Sequence, residues 1–445
     1  MMKSLKNIVV SPDTRKRVIL TLIILFIIRI FSNIPVIGIN RNYLHDWATS
    51  NSMKAFAFMD IFNGSALSHM SLFAIGIGGY ISASIAIQLL SVFVPYLSDL
   101  TKQGQEGVKQ IKKITFYTSI GVSFLQGLIL ANQLGKAGLL IKYNIFYILV
   151  VAIMLTIGAM IVYGFSVIIE NKGVGNGTTF IIATNIIYSL YTTIGVVYEM
   201  YIDRRDVVHA IINGSIAIAI LVALIIGVIY YNEGEKRIGV TYAGSNKYLP
   251  SSKSYLPIKL AMSSVMPAII TMSILQIFAS LPSFLGLNPN GIVCKILNVF
   301  NYGYWFEFDG WRAIYNIGII FFVFMMIGCN YFYSKIVYNP KIIADNLQAS
   351  NGVINGIRQN KIAEYIEEKS KNIIILGGIF LSIIILIPMF ISKIGNMNVG
   401  LGGTSVIILV SACIDIYKSV SANAQIEQNS TIGFYNKGKR KYEKA

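Results

Sequence analysis

Residues 60–90 read DIFNGSALSHMSLFAIGIGGYISASIAIQLL. The first part, Asp60–Phe73, is too polar and too short to cross a bilayer. The second, Ala74–Leu90, is apolar enough to cross but opens on three glycines, Gly76, Gly78 and Gly79. Glycine inside a helix costs about 1 kcal/mol against alanine, so three together mark close backbone approach or irregular geometry. Ile77 and Ile81 stand four apart and share one helical face. A short semi-polar helix folded back beside a glycine-lined span has the form of a stopper next to a pore. The same residues also read as an external loop leading into a packing helix, and pattern alone leaves both open.

The surrounding composition is that of a polytopic membrane protein. Of 445 residues, 55% are hydrophobic and only 13% charged, against about a quarter charged in a soluble domain. Mean hydropathy is +0.64. Lys and Arg number 37 and Asp and Glu 20, a net charge of +17. In a membrane protein this excess belongs to cytoplasmic loops drawn toward anionic lipid, and no specific nucleic acid is implied. Cys294, Cys329 and Cys413 are scattered and imply neither disulfide nor metal site. Charged residues precede the first apolar run without a small-residue cleavage pattern, so a retained first span is expected.

Ten apolar runs are long enough to span: 18–36, 74–95, 114–135, 145–168, 178–200, 210–231, 258–281, 312–336, 372–392 and 400–418. With the N-terminus inside, the inner segments hold 27 Lys and Arg and the outer ones nine; Arg29, within the first run, completes the 37. That bias predicts a multi-pass protein with both termini cytoplasmic. GVGNG (Gly173–Gly177) leads into the fifth run and GLGG (Gly400–Gly403) into the tenth. Matching glycine-rich turns at the ends of two five-span halves predict inverted repeats with a site at their interface. The predicted organisation is an N-terminal half at 1–209, a C-terminal half at 210–418 and a tail at 419–445. Two inner loops, 232–257 and 338–371, are long, basic and turn-rich, as docking surfaces for a cytosolic partner would be. A helical stretch is expected at Lys361–Lys371.

Nothing in the sequence assembles a catalytic or cofactor site. His45, His69 and His209 have no plausible nucleophile or ligand partner nearby, and no phosphate-binding loop is present. Nucleotide-driven work would have to come from a partner. Intramembrane charge is confined to Arg29 and to Asp415 near the end of the last run, whereas ion-coupled transporters bury acidic residues. Isoleucine, by contrast, is abundant. Ile77 and Ile81 are matched by Ile182 and Ile186 in the fifth run, Ile269 follows Pro267 in the seventh, and Ile408 lies in the tenth. By composition these are lipid-facing or core residues. Gathered at mid-depth, they would form an apolar constriction that hinders water and ions.

From about Arg17 to Gln428 the chain resembles the bacterial SecY family, whose members form the central subunit of the Sec translocation channel. The resemblance is carried in order by RIFSNIPVIGI (Arg29–Ile39), IFNGSALSHMSLFAIGIGGYISASIAIQLL (Ile61–Leu90) and GVGNG. It continues through YLPIKLAMSSVMPAI (Tyr255–Ile269), IVYNPKIIADNLQASNGVINGIR (Ile336–Arg358) and GLGGTSVIILV (Gly400–Val410). It implies an all-α protein of ten transmembrane helices in two pseudo-symmetric halves around a pore. A short plug helix is implied at about 58–72, including Phe62, Asn63, Gly64, Ser65, Ala66, Leu67 and Ser68. The implied pore ring is Ile77, Ile81, Ile182, Ile186, Ile269 and Ile408. A lateral gate between the second and seventh spans would involve Ser82, Gln88, Ala261 and Pro267. Arg358 matches the family's partner-contacting arginine, and Lys236 and Arg237 the basic tip of the preceding loop. The implied partners are the small subunits SecE and SecG, the motor ATPase SecA, the ribosome, signal peptides, unfolded polypeptides and membrane lipids, at the bacterial plasma membrane. The chain itself would be a passive channel without cofactor.

Three departures stand out. Gly79 replaces a common proline, Ala261 replaces a frequent gate asparagine, and NGIRQN lacks the proline-glycine that usually follows the arginine. The alternatives are an accessory paralogue serving a few exported substrates, or a small-molecule transporter or flippase. The last two need buried coupling charges or a polar central pocket.

Overall fold

A computed structural model describes residues 12–39, 60, 62–201, 207–242, 255–262, 265–285, 291–307, 310–354, 356–394 and 405–418. The chain divides into two compact units, Met1–Thr192 with Ala412–Ala445, and Thr193–Ser411. Both termini, the tail beyond 418 and the GLGG turn lie outside the described residues.

The first unit contains α1 (Pro12–Phe31), α2 (Gly78–Phe93), α3 (Pro95–Lys102), α4 (Gly104–Lys136), α5 (Ile145–Lys172) and the start of α6 (Gly177–Tyr201). The α2 and α3 axes bend by 101° at a short break. Val94 at the break is extended, with φ −97° and ψ 110°, and Pro95 opens α3. Both follow from proline, which disfavours the helical region for its predecessor and is at home in a first turn. Helices α4 and α5 form an antiparallel pair whose close contact is set at Gly127, where a Cβ would stand 3.0 Å from the Ala152 carbonyl oxygen. Leu130, Leu134, Val151, Leu155 and Ala159 from this pair and Leu139 from its connecting turn are buried in one cluster with Leu67, Met70, Ala74 and Ile75.

The second unit contains α7 (Val207–Glu233), β1 (Glu235–Tyr242), β2 (Tyr255–Lys259), α8 (Met266–Leu285), α9 (Ile292–Asn298), α10 (Ile317–Val337), α11 (Pro340–Ala349), β3 (Gly352–Ile354) and α12 (Ile362–Ile394). A last helix, α13, covers 405–418, with its residues up to Ser411 in this unit and those from Ala412 in the first. The strands form one antiparallel sheet in the order β2-β1-β3, with Ile238 opposite Leu256 and Val240 opposite Ile354. Ile238, Val240, Ile258, Leu347, Ile354, Ile362 and Ile366 are buried beneath it. The two long loops therefore share one small core. Within the helical part, the buried Asn330 donates from Nδ2 to the Ile374 carbonyl at 2.7 Å, tying α10 to α12.

A helix overlaps each of the ten expected runs. Among the described residues, four helical stretches are long and apolar enough to cross a membrane, and the bent α2–α3 pair makes a fifth. Two boundaries differ from expectation for a clear reason. The seventh run does not begin its helix at 258, because Tyr255–Lys259 pair with β1 and the Leu260 amide donates to the Gly234 carbonyl at 2.7 Å. Ala261 consequently lies in a turn before α8, not within a span. The helical stretch expected at Lys361–Lys371 is continuous with the ninth span, together forming the 33-residue α12.

Candidate functional site

The segment after α1 is helical at Asp60 and Phe62 and then turns back on itself by hydrogen bonding. Asp60 Oδ1 accepts from the Leu67 and Ser68 amides at 3.0 and 2.9 Å, and Oδ2 accepts from Ser68 Oγ at 2.5 Å. These groups are thereby drawn to one carboxylate and away from carbonyls four residues back, as happens with Asp in turns. Of the short helix expected over 58–72, Asp60 and Phe62 are helical and Asn63–Met70 are turns; residues 58, 59 and 61 lie outside the described residues. Gly64, Ser65 and Met70 have φ of +62°, +60° and +47°. Burial pushes the Asp60 carboxyl above its ordinary range, opposed by the hydrogen bonds from Ser68 and Leu67.

This segment is anchored on three sides. The Val36 amide donates to the Met70 carbonyl and the Leu72 amide to the Ile34 carbonyl, both at 2.9 Å, joining it to the chain after α1. Leu67 and Met70 are 0% and 1% exposed in the cluster with α4 and α5. Asn63, also buried, donates from Nδ2 to the Ala74 carbonyl at 2.7 Å, stitching the segment to the residues that open α2.

Those residues carry the first isoleucines. Ile77 precedes α2 and Ile81 lies one turn on, the Ile81 amide donating to the Ile77 carbonyl at 3.1 Å. On α6, Ile182 and Ile186 repeat the four-residue spacing, and all four side chains are buried. In the second unit Ile269 lies in the first turns of α8, just after Pro267, and Ile408 on α13; both are buried. Four of the six isoleucines thus belong to the first unit and two to the second.

The polar residues of the expected gate have partners inside their own unit. Gln126 Nε2 on α4 donates to Ser82 Oγ at 3.3 Å, and Gln88 Nε2 donates to Ser84 Oγ at 3.1 Å. Gly79 faces Ser123 of α4 so closely that a Cβ there would collide with the Ser123 hydroxyl. The proline expected at position 79 would not fit this approach.

Sequence reading flagged Arg29 only as an intramembrane charge and did not find its partners. Arg29 Nη2 donates to the Gly64 carbonyl at 3.0 Å, and Nη1 to Asn185 Oδ1 at 3.2 Å. Its guanidinium lies 3.8 Å from the centre of the Tyr188 ring. Asn185 Nδ2 in turn donates to the Phe62 carbonyl at 3.0 Å. Asn185 and Tyr188 are three apart on α6 and so share a face. An Asn and a Tyr at that spacing in an apolar run were the available signal.

On the second unit, Arg358 is exposed at the start of a single 3₁₀ turn, Gln359–Lys361. It lines an open concavity with Ile357, Lys361, Glu364, Tyr365 and Glu368. Lys236 and Arg237 are not at a loop tip: they belong to β1, opposite Ile258 and Pro257. Arg237 Nε donates to Glu235 Oε1 at 2.7 Å and its guanidinium covers the Tyr255 ring at 4.6 Å. No cluster of three or more His, Cys, Asp or Glu that could hold a metal occurs among the described residues.

The sequence profile of one protein family, SecY, matches residues 71–417. The chain belongs to the SecY family. It is 30% identical over 447 residues to the protein translocase subunit SecY of Bacillus subtilis (strain 168), covering 98% of this chain and 99% of that protein. It is 32% identical over 435 residues to the protein translocase subunit SecY of Aquifex aeolicus (strain VF5), covering 94% and 96%. Its fold is similar to a solved structure described as "The structure of a protein conducting channel", with TM-score 0.60, 17% identity and 91% of each chain covered. A second likeness, TM-score 0.58 and 18% identity over 91% of each chain, is to a SecY structure whose plug domain is described as stabilising the closed state. The mostly helical architecture with several apolar helices is that of the SecY and Sec61 channels.

Proposed function

We propose that this chain is the central subunit of a protein-conducting channel, moving unfolded secretory polypeptides across the bacterial plasma membrane and releasing apolar segments sideways into lipid. One observation supports it above the rest: a polar, turn-built segment (60–72) accepts on its own carbonyls from Arg29 of α1 and from Asn185 of the helix bearing Ile182 and Ile186, and donates through Asn63 to the residues ahead of the helix of Ile81. A stopper needs that placement, and a packing loop does not need donors from two helices on its own carbonyls.

In this reading ten helices in two pseudo-symmetric halves, 1–209 and 210–418, surround an aqueous funnel, and both termini are cytoplasmic. Ile77, Ile81, Ile182, Ile186, Ile269 and Ile408 form a deformable collar. Branched apolar side chains fit around a passing chain while offering ions no substitute for hydration. Residues 58–72 are the plug. Ser82, Gln88, Ala261 and Pro267 border the lateral gate, through which a sufficiently apolar passenger segment leaves with a gain of about 25 cal/mol per Å² buried. The chain performs no catalysis. Energy comes from SecA or the ribosome, received at Arg358 and around Lys236 and Arg237, while SecE and SecG complete the complex.

Depletion of the protein in its host, with secretion of a reporter carrying an ordinary signal peptide, tests the reading. Precursor accumulating in the cytoplasm within a few generations is the expected result. Loss of only one or a few surface proteins would make the chain an accessory paralogue. Normal export of everything would return it to the transporter or flippase class.

A further inference from the structure

The carbonyls of Phe62 and Gly64 point at donors from two different helices. Asn185 Nδ2 of α6 takes the first at 3.0 Å, and Arg29 Nη2 of α1 takes the second at 3.0 Å. The two donors are themselves joined, Arg29 Nη1 donating to Asn185 Oδ1 at 3.2 Å, and the Tyr188 ring backs the guanidinium at 3.8 Å. We propose that Arg29 and Asn185 form a clasp that holds the plug closed, and that separating the Gly64 carbonyl from the Arg29 guanidinium is the step that frees it. The inference rests on reading residues 60–72 as a plug.

Three features set this clasp apart from ordinary packing. First, these partners of Arg29 are neutral: a carbonyl, an amide oxygen and an aromatic ring. An arginine within an apolar helix needs such polar contacts to offset its lost hydration, so the segment cannot leave without costing the charge one of these three contacts. That couples plug position to the solvation of Arg29. Second, the clasp is built for one residue at position 64. Gly64 has φ +62°, and a Cβ there would meet Arg29 Nη1 and lie 3.0 Å from Asn185 Cα. Glycine supplies both the left-handed backbone and the space for the guanidinium. Third, Asn185 stands three residues after Ile182 on the same face of α6, so a passenger that pushes Ile182 outward moves the central member of the clasp. The guanidinium then loses its bridge to α6 and the Phe62 carbonyl its donor, leaving the Gly64–Arg29 hydrogen bond as the last hold of the clasp. Arg29 is a positioning residue in this scheme, acting on the plug and never on the passenger.

The test uses the full chain with its partner subunits in membrane vesicles, Cys294, Cys329 and Cys413 replaced by serine, and one reporter thiol, Ser65→Cys, within the plug. Its reaction with a water-soluble maleimide is timed without a passenger, and resting ion leak is measured on the same vesicles. Arg29→Gln is expected to speed labelling about tenfold, the loss of roughly one charge-assisted hydrogen bond. Arg29→Lys, which keeps the charge but not the planar fork, is expected to fall between Arg29→Gln and the parent. Ile186→Ser is expected to raise ion leak with labelling unchanged. Unchanged labelling in Arg29→Gln overturns the clasp, as does equal acceleration by Ile186→Ser. Should Arg29→Gln fail to accumulate, Gly64→Ala drives the guanidinium off the same carbonyl, and unchanged labelling there overturns it equally. Faster labelling in Arg29→Gln with no change of leak in any variant leaves the clasp standing and overturns the plug's sealing role instead.

Discussion

Asn63 Nδ2 donates to the Ala74 carbonyl at 2.7 Å, closing a loop across eleven residues between the turn segment and the opening of α2. Its other amide atom, Oδ1, lies where a Cβ on Gly76 would fall, and Gly76 has φ +53°. The position therefore combines a left-handed backbone with a filled space. Gly76→Ala should destabilise the resting protein by about 1–3 kcal/mol, seen as a lower midpoint of heat-induced aggregation of the detergent-solubilised complex. An unchanged midpoint would mean that the loop between Asn63 and Ala74 is free to relax.

Ile186 is fully buried beside Asn185, with Ile182 one turn earlier. Ile186→Asn places an amide at a site that offers it no built partner, a cost of about 1–3 kcal/mol. It should raise resting ion conductance and let passengers with defective signal peptides through. Conductance and signal stringency both at the parent level would remove Ile186 from the collar.

Asp60 gives the turn segment a pH dependence. Burial raises its carboxyl above the ordinary range, so the folded segment binds a proton more readily than the unfolded one does. That contribution is present at low pH and is lost as pH rises from about 4 through the raised value. Asp60→Asn keeps an acceptor for the Leu67 and Ser68 amides and cannot ionise. Resting leak should therefore increase with pH in the parent and stay flat in Asp60→Asn. Parallel pH profiles in the two would sink this account.

Two substitutions in the second unit separate docking from folding. Arg358→Glu reverses an exposed charge and should abolish motor-driven transport by at least tenfold while leaving the complex assembled. Ile238→Ala opens a cavity under the sheet, a loss of about 2–5 kcal/mol, and should make β1–β3 sensitive to protease while the spans remain resistant. Normal transport by Arg358→Glu would refute its contact role, and protease resistance in Ile238→Ala would mean the sheet is not held by this core.

The helices were legible because bilayer thickness imposes a length and a composition that local sequence must meet. A helix overlaps each of the ten apolar runs, and among the described residues four or five are long and apolar enough to span. The sheet was not foreseen. Yet Arg237, Ile238, Gly239, Val240 and Thr241 alternate between exposed and buried, a period-two signal only five residues long. Its partners lie in β2 and in β3, about a hundred residues further on, and no local pattern announces such pairing. The helix expected over 58–72 gives way to turns after Phe62, because one carboxylate binding Leu67 and Ser68 redirects the amides of DIFNGSALSHM. The same limit hid the clasp: Arg29 was visible, but its acceptors at Gly64 and Asn185 are 35 and 156 residues away.

Helix α12 runs without interruption from Ile362, beside the Arg358 turn, to Ile394. At 1.5 Å per residue that is a rod about 50 Å long. Its first turns are fixed in the sheet's core through Ile362 and Ile366, and its middle is fastened to α10 at Ile374. In the proposed reading, force applied by a partner at the rim reaches Ile374 through continuous helix. Such a force would act as torque about Ile374, and Pro388, unable to donate a backbone hydrogen bond, is the residue along the rod where that leverage would end.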